Sequence, residues 1–318
     1  MSQQLSRRLT KTSFVFIVGS PRSGTTLLGE ILDRHPKISQ WYEPYFVWDK
    51  RFRNSIHDER VEKDATDNVC REIYNDFLEY KRKRKCVFVV DKSPRNSLKI
   101  PFIQKVFPDP HFVHILRDGR DVTLSIHKEW IRRKQIVGES DGNLAFDYGR
   151  ATEVISKWLK RQPFLRDKVR AFWFETHGHL IDKSKHLNRR RWEGKVGWGP
   201  RFEGWQEFLH SHSVLEFNAM QWLKCVQAIR KSWSIVPEKN KMEIRYEDLL
   251  ACPEKNIANI LAFVGTEPSE NFFDRIPRLA TNNYNKWAKE FKAEEIKKIK
   301  PLLSSLLREL DYAHPSEW

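Results

Sequence analysis

Short apolar runs alternate along this chain with segments whose apolar residues recur at every third or fourth position. Phe14–Val18, Cys86–Val90 and His111–Leu116 are runs of five or six residues with the composition of strands buried on both faces. Ile38–Tyr42 reads as a short strand or an extended loop, and Met242–Arg245 as a further strand. Helical patterns lie between them. Leu27, Leu28, Ile31 and Leu32 make the stripe of a helix that begins near Gly24, and Val61, Ala65, Val69, Ile73, Phe77 and Tyr80 predict another. Helices are also expected over Asn96–Val106, Val122–Trp130, Phe146–Arg161, Val214–Trp233 and Ala293–Leu310, with one more opened by Pro253 and closed by Gly265. Asn271–Ala280 carries no clear period.

Three strand–helix alternations within the first ~130 residues predict parallel strands joined by crossovers, hence an α/β fold with a central parallel sheet flanked by helices. The carboxyl ends of such strands gather on one edge, where open α/β sheets bind ligands. From about residue 134 to 214 the pattern degrades into a stretch rich in tryptophan, histidine and glycine, including Trp173, Trp192, Trp198 and Trp205. It reads as a helical insertion, either packed on the core or forming an acceptor-side lid with aromatic faces and cations such as Arg189, Arg190, Arg191 and Arg201. No linker or repeat divides the 318 residues, so one elaborated domain is expected.

Charge changes the picture more than length does. A formal charge of +15 suits polyanionic partners. Much of it sits in runs such as Lys81–Lys85, which read as a solvated connection, and no nucleic-acid-binding signature accompanies them. The cysteines Cys70, Cys86, Cys225 and Cys252 lack the spacing of a metal site or redox pair; Cys86 and Cys225 read as small buried hydrophobes and the thiols as reduced. No apolar run approaches the ~20 residues of a membrane span, and the expectation is a cytoplasmic location.

The chemistry concentrates at Phe14–Thr26. A buried strand runs into Gly19, a short loop into Gly24, and then a helix starts, so that backbone N–H groups and the helix dipole converge on one phosphate-sized space. The G-x-x-x-x-G spacing matches a P-loop, but Thr25 and Thr26 stand where a nucleoside triphosphatase has Lys-Ser/Thr, and the cation has moved into the loop as Arg22. That loop is poorly suited to γ-phosphoryl transfer, which needs Lys and Mg²⁺. Asp91 ends an apolar run and imitates the Mg²⁺-holding carboxylate of those enzymes, but Lys92 follows it directly and no metal is expected.

Pro21-Arg22-Ser23-Gly24-Thr25-Thr26 resembles the phosphosulfate-binding loop of the sulfotransferases, in the variant shared by tyrosylprotein sulfotransferases and many bacterial enzymes. The segments Ile115–Ser125 and Arg245–Leu249 are similar to further parts of that family's pattern. The resemblance covers roughly residues 14–43, 86–126 and 242–265, and the middle hardly at all. It implies 3′-phosphoadenosine 5′-phosphosulfate (PAPS) as donor and 3′-phosphoadenosine 5′-phosphate (PAP) as product. Arg22, Ser23, Gly24, Thr25 and Thr26 would hold the 5′ end, Arg117 and Ser125 the 3′-phosphate, and Tyr246 would lie near the adenine. Ser125 follows Arg117 by eight residues, about two helical turns, so both can reach one phosphate. Lys92 would face the sulfuryl group, and Glu43, twenty-one residues after Arg22 as in the tyrosylprotein class, would be the general base.

The histidine base of the small-molecule class is missing, since Lys92-Ser93-Pro94 stands in its place. Glu129 occupies the position of that tyrosylprotein class's second arginine, so Arg132, Arg133 or a C-terminal cation such as Lys286 would have to serve the 3′-phosphate. The acceptor, whether carbohydrate, small molecule, lipid or peptide, is left open. So are two other classes of function: a P-loop kinase, and a non-catalytic module binding anionic glycans.

Overall fold

A computed structural model describes residues 13–137, 139–140, 143–144, 192, 197–280, 282–314 and 318. The expected helix Phe146–Arg161 and most of the tryptophan-rich stretch, including Trp173 and Arg189–Arg191, lie outside the described residues.

Five parallel strands form the main sheet: β1 (Phe14–Val18), β2 (Ile38–Tyr42), β3 (Phe88–Lys92), β4 (His111–Leu116) and β5 (Lys241–Arg245), in the order β2-β3-β1-β4-β5. β1 is therefore central, and all five of its residues are buried, as its unbroken apolar composition requires. Successive side chains point to opposite faces. Phe14, Phe16 and Val18 enter an aromatic core with Trp48, Phe77, Phe107 and Phe112, whereas Val15 and Ile17 face Leu28, Ile31, Ile115 and Ile257 on the other side. Each such fully buried side chain contributes about 1.5–3 kcal/mol.

The described helices longer than a single turn are α1 (Thr25–Leu32), α2 (Asp67–Arg84), α3 (Ile100–Val106), α4 (Gly119–Val137), α5 (Trp205–Ser211), α6 (Val214–Trp233), α7 (Tyr246–Ala251), α8 (Pro253–Val264) and α9 (Ala293–Glu309). Helices α4, α6 and α9 build a third apolar cluster around Trp130, Trp222 and Leu303. Local chemistry explains several ends. Ser213 and Glu216 cap α6 reciprocally, the Ser213 N–H donating to Glu216 Oε2 at 2.9 Å. Pro253 opens α8, and Gly265, at φ 95°, closes it. Among the described residues no helix is long and apolar enough to cross a membrane.

Some boundaries differ from the sequence reading. The helix expected from Val61 begins at Asp67, after a separate 3₁₀ turn at Glu62–Asp64. It also runs on through Lys81–Arg84, because basic residues in a last turn complement the helix dipole, and it ends where Lys85 turns left-handed at φ 52°. Lys81–Arg84 is thus helix, not connection. The strand expected at Cys86–Val90 lies two residues later and includes both Asp91 and Lys92. The expected helix Asn96–Val106 is a 3₁₀ turn, Pro94–Leu98, followed by α3. Helix α4 starts at Gly119, three residues before the expected Val122, and runs to Val137. Cys86 and Cys225 are buried and all the cysteines are free.

Candidate active site

The loop between β1 and α1 is shaped by its backbone. At Gly19, φ is 152° and a Cβ would stand 2.6 Å from the Ile115 carbonyl, so β4 can approach only glycine. Ser97 pins this point twice, its hydroxyl accepting from Gly19 N–H at 2.9 Å and donating to Gly19 O at 3.0 Å. Arg22 is left-handed at φ 69°. Gly24, at φ 103°, precedes α1 with no side chain capping the helix. The first N–H groups of α1 therefore have no intrahelical acceptor and open onto the cavity beside Thr25 and Thr26. Ser23 is the exception among the expected loop ligands. It is buried, its hydroxyl donates to Ser20 O at 2.7 Å, and it does not line the cavity.

On the β2–β3 side, the period-2 alternation separates Asp91 from Lys92. Asp91 turns into the protein, where Trp48 Nε1 (2.6 Å), Ser93 Oγ (2.6 Å) and Asn96 Nδ2 (3.1 Å) donate to it. Burial pushes its carboxyl up to about 6 against the opposing pull of those hydrogen bonds. Asp91 pins a turn and does not line the cavity. Lys92 lines it, with Nζ 2.5 Å from Glu43 Oε1 and 4.2 Å from the centre of the Tyr42 ring. Its side chain is 2% exposed against 21% for Glu43. Burial alone would lower the lysine's pKa, but the Glu43 carboxylate and Tyr42 outweigh it and hold it above the ordinary value. Glu43 is also the turn residue that the neighbouring proline suggests: it is left-handed at φ 44°, and its N–H donates to Lys92 O at 3.3 Å.

The other end is built on α4, whose residues Asp121, Leu124, Ser125 and Lys128 share one helical face and line the cavity. Arg22 Nε donates to Ser125 Oγ at 3.0 Å. Arg117 donates from Nη1 to Arg22 O (3.1 Å) and from Nη2 to Asn283 O (2.7 Å), while its buried Nε has no partner among the described residues. Its guanidinium stacks 4.3 Å from the centre of the Tyr246 ring. Tyr246 lines the cavity but is 4% exposed, wedged against Gly24. It underlies Arg117 as a platform.

Sequence reasoning brings Arg22, Glu43, Lys92, Gly24, Thr25, Thr26, Arg117, Ser125 and Tyr246 to one cavity of about 390 Å³ at the carboxyl edge of the sheet. It missed Tyr42, Asp121, Lys128 and Asn283, which also line it. Among the described residues of the degraded stretch, Trp198 is the tryptophan that reaches this wall; Trp192 and Trp205 are buried in the helical core. The replacement cations sort cleanly. Arg132 and Arg133 both pair with Glu129, at 2.6 and 2.7 Å, and do not line the cavity, whereas Lys286 does. Neither His114 nor His127 lines it.

Fold and site together define a P-loop-type α/β protein whose anion cradle has Thr25 where a nucleoside triphosphatase has lysine and carries its cation, Arg22, within the loop. The model of the sulfotransferase family matches residues 14–173 and 198–270. The chain belongs to the sulfotransferase family. It is 29% identical over 154 residues to protein-tyrosine sulfotransferase 1 of Homo sapiens, covering 45% of this chain and 39% of that protein. With nodulation protein NoeE of Sinorhizobium fredii it shares 25% over 133 residues, covering 36% and 31%. The chain thus spans less than half the length of the curated relatives it matches. The sulfotransferase domain of the Synechococcus PCC 7002 olefin synthase superposes with a TM-score of 0.50 at 15% identity, covering 92% of this chain and 96% of that one, and shares the fold.

Proposed function

We propose that this protein transfers a sulfuryl group from PAPS to an acceptor hydroxyl, in line and with Glu43 as general base. The observation that carries the reading is the Lys92–Glu43 pair, at 2.5 Å, in the same cavity as the arginine-bearing loop. The residues suit a donor with two anionic ends. Arg22 and the first amides of α1 serve the 5′ side, and Arg117, whose buried Nε is unpartnered among the described residues, serves the 3′-phosphate with Ser125 and the nearby Lys286. In the reaction Glu43 takes the proton of the acceptor hydroxyl as its oxygen bonds to sulfur, and the bond from sulfur to the 5′-phosphate oxygen breaks. Lys92, Arg22 and the loop amides hold the charge that passes to the leaving phosphate.

The acceptor class is drawn from two sources. Several relatives are named protein-tyrosine sulfotransferases, and Trp198 offers an aromatic face to a ring carrying the hydroxyl. We infer a phenolic hydroxyl, with a peptide tyrosine as the leading candidate.

Thermal melting with 3′,5′-ADP, 5′-AMP, ADP and ATP tests the donor reading, since a ligand that binds only the native state raises the melting temperature. A shift with 3′,5′-ADP well above the others is expected, together with transfer to a tyrosine peptide in the presence of EDTA. Preference for Mg·ATP over 3′,5′-ADP would replace this reading with that of a kinase.

A further inference from the structure

The cavity contains a group that its proposed ligand should disfavour. Asp121 is a carboxylate, 2% exposed, on the wall of a pocket lined by Arg22, Lys92, Arg117 and Lys286. A negative charge there repels a 3′-phosphate, so its presence needs another physical reason. The hydrogen bonds supply one. Asp121 Oδ2 accepts from the Asn285 N–H at 2.7 Å and Oδ1 from the Trp287 N–H at 3.0 Å. Its Oδ2 also stands 3.8 Å from Arg117 Nη2. One side chain thereby joins the first turn of α4 to a segment more than 160 residues away.

The same segment is held at other points. Asn283 O accepts from Arg117 and Asn283 Nδ2 donates to the Tyr246 hydroxyl at 2.7 Å. The Arg120 guanidinium lies 4.1 Å from the centre of the Trp287 ring, and Lys128 pairs with Glu290. Residues 283–290 thus lie as a strap along the donor end of the cavity and bring Asn283 and Lys286 to its wall.

We propose that Asp121 is a positioning residue: it docks the strap against the donor end of the cavity, and docking sets the affinity for the 3′-phosphate. The proposal rests on the donor reading given above. Its test lies in a sign. Removing a negative charge from a phosphate site should tighten phosphate binding if charge alone matters. Removing a carboxylate that holds two backbone amides, one on each oxygen, should weaken it, because an amide side chain puts an NH₂ donor in place of one of those oxygens.

Asp121→Asn is therefore expected to weaken 3′,5′-ADP about ten-fold, the loss of roughly one strong hydrogen-bonded contact, and 5′-AMP by no more than about two-fold. Hydrogen exchange at the Asn285 and Trp287 amides should accelerate in the same variant. Tyr246→Phe removes the hydroxyl that accepts from Asn283 with little threat to folding, and should shift the same affinity ratio in the same direction by less. Unchanged or tighter 3′,5′-ADP binding by a folded Asp121→Asn protein overturns the proposal. If that variant does not fold, an unaltered ratio in Tyr246→Phe overturns it instead. A wild-type protein with no preference for 3′,5′-ADP over 5′-AMP would fail the donor reading, which is a separate result.

Discussion

Lys92 is a charge placed where water hardly reaches, and Glu43 is what makes that tolerable. This joins two effects in the substitution Glu43→Gln. Glutamine cannot take a proton, so on the proposed mechanism kcat should fall by about 10²–10⁴ and its pH profile should lose the acidic limb. It also leaves the Lys92 ammonium without its carboxylate, so the melting temperature should fall. The sign of the pH dependence follows from the raised lysine pKa. A group raised in the fold contributes stability below its unfolded pKa and loses it as pH rises through the folded value. The stability gap between wild type and variant should therefore hold at neutral pH and narrow above about pH 10. Near-normal kcat with an intact acidic limb would remove Glu43 as the base, and neither His114 nor His127 lines the cavity to take its place. At this scale the sequence was informative where chemistry is local. Arg22 and Lys92 follow strands whose apolar runs are plain to read, and Glu43 was placed by its spacing from Arg22 in the family resemblance. Asp121 and Asn283 were not legible, because they act through backbone amides and carbonyls, which leave no mark in residue type.

The strand–loop–helix unit depends on conformations that few residues adopt. Gly24 combines two demands: φ is 103°, and a Cβ would stand 2.5 Å from the Tyr246 ring. Gly204 has only the first, with φ 78° and, among the described residues, nothing within 4 Å of the point where a Cβ would stand. Gly204→Ala should thus cost strain alone, about 1 kcal/mol, while Gly24→Ala adds displacement of Tyr246, and with it the platform beneath Arg117. Chemical denaturation of both variants, with 3′,5′-ADP titrations, checks this. Equal stability losses and unaltered donor affinity in Gly24→Ala would mean that the ring simply moves aside. Element types were read well from periodicity, and boundaries less so. Lys81–Arg84 looked like a connection because it is uniformly charged, yet helix propensity and the dipole carry α2 through it. β3 continues past its apolar run because Asp91 finds buried donors and Lys92 a carboxylate partner, neither of which is visible in a hydropathy pattern.

Across the molecule, one ionic cluster ties distant segments behind the cavity. Asp58, 1% exposed, accepts from the Arg201 N–H at 2.8 Å and pairs with Arg201 Nη2 at 2.9 Å and Arg95 Nε at 3.6 Å. Asp49 pairs with Arg95 and Lys99 at 3.3 and 3.6 Å. The cluster fixes the Trp198–Arg201 turn against the Pro94–Leu98 turn, and Gln221 holds the same turn by the carbonyls of Trp198 and Pro200. Burial would raise the Asp58 carboxyl, but Arg201 and Arg95 overcome it and hold it far below the usual range. A depressed carboxyl contributes stability above its unfolded pKa and loses it as pH falls below that value. Asp58→Asn should cost about 3–5 kcal/mol at pH 7, with the gap to wild type closing below about pH 4. Because the cluster presents Trp198, the variant should also raise KM for a phenolic acceptor more than for the donor. A loss of under about 1 kcal/mol would show that the cations find water or other partners instead.

The central place of β1 has a consequence for the growing chain. The strand leaves the ribosome ahead of both its neighbours, since β3 and β4 come from residues 88–92 and 111–116. Until they emerge, Gly19 has neither Ser97 nor the Ile115 backbone beside it. Tyr246 and Asn283 follow later still. At about 5–20 residues per second, roughly 10–50 seconds of translation separate the loop from its strap. During that interval the cradle is an unsupported basic turn, with Arg22 free of the carbonyl contact that Arg117 later makes. Nucleotide cannot guide the early steps of folding here, because the pocket that would hold it closes only when nearly the whole sheet and its last crossover are in place.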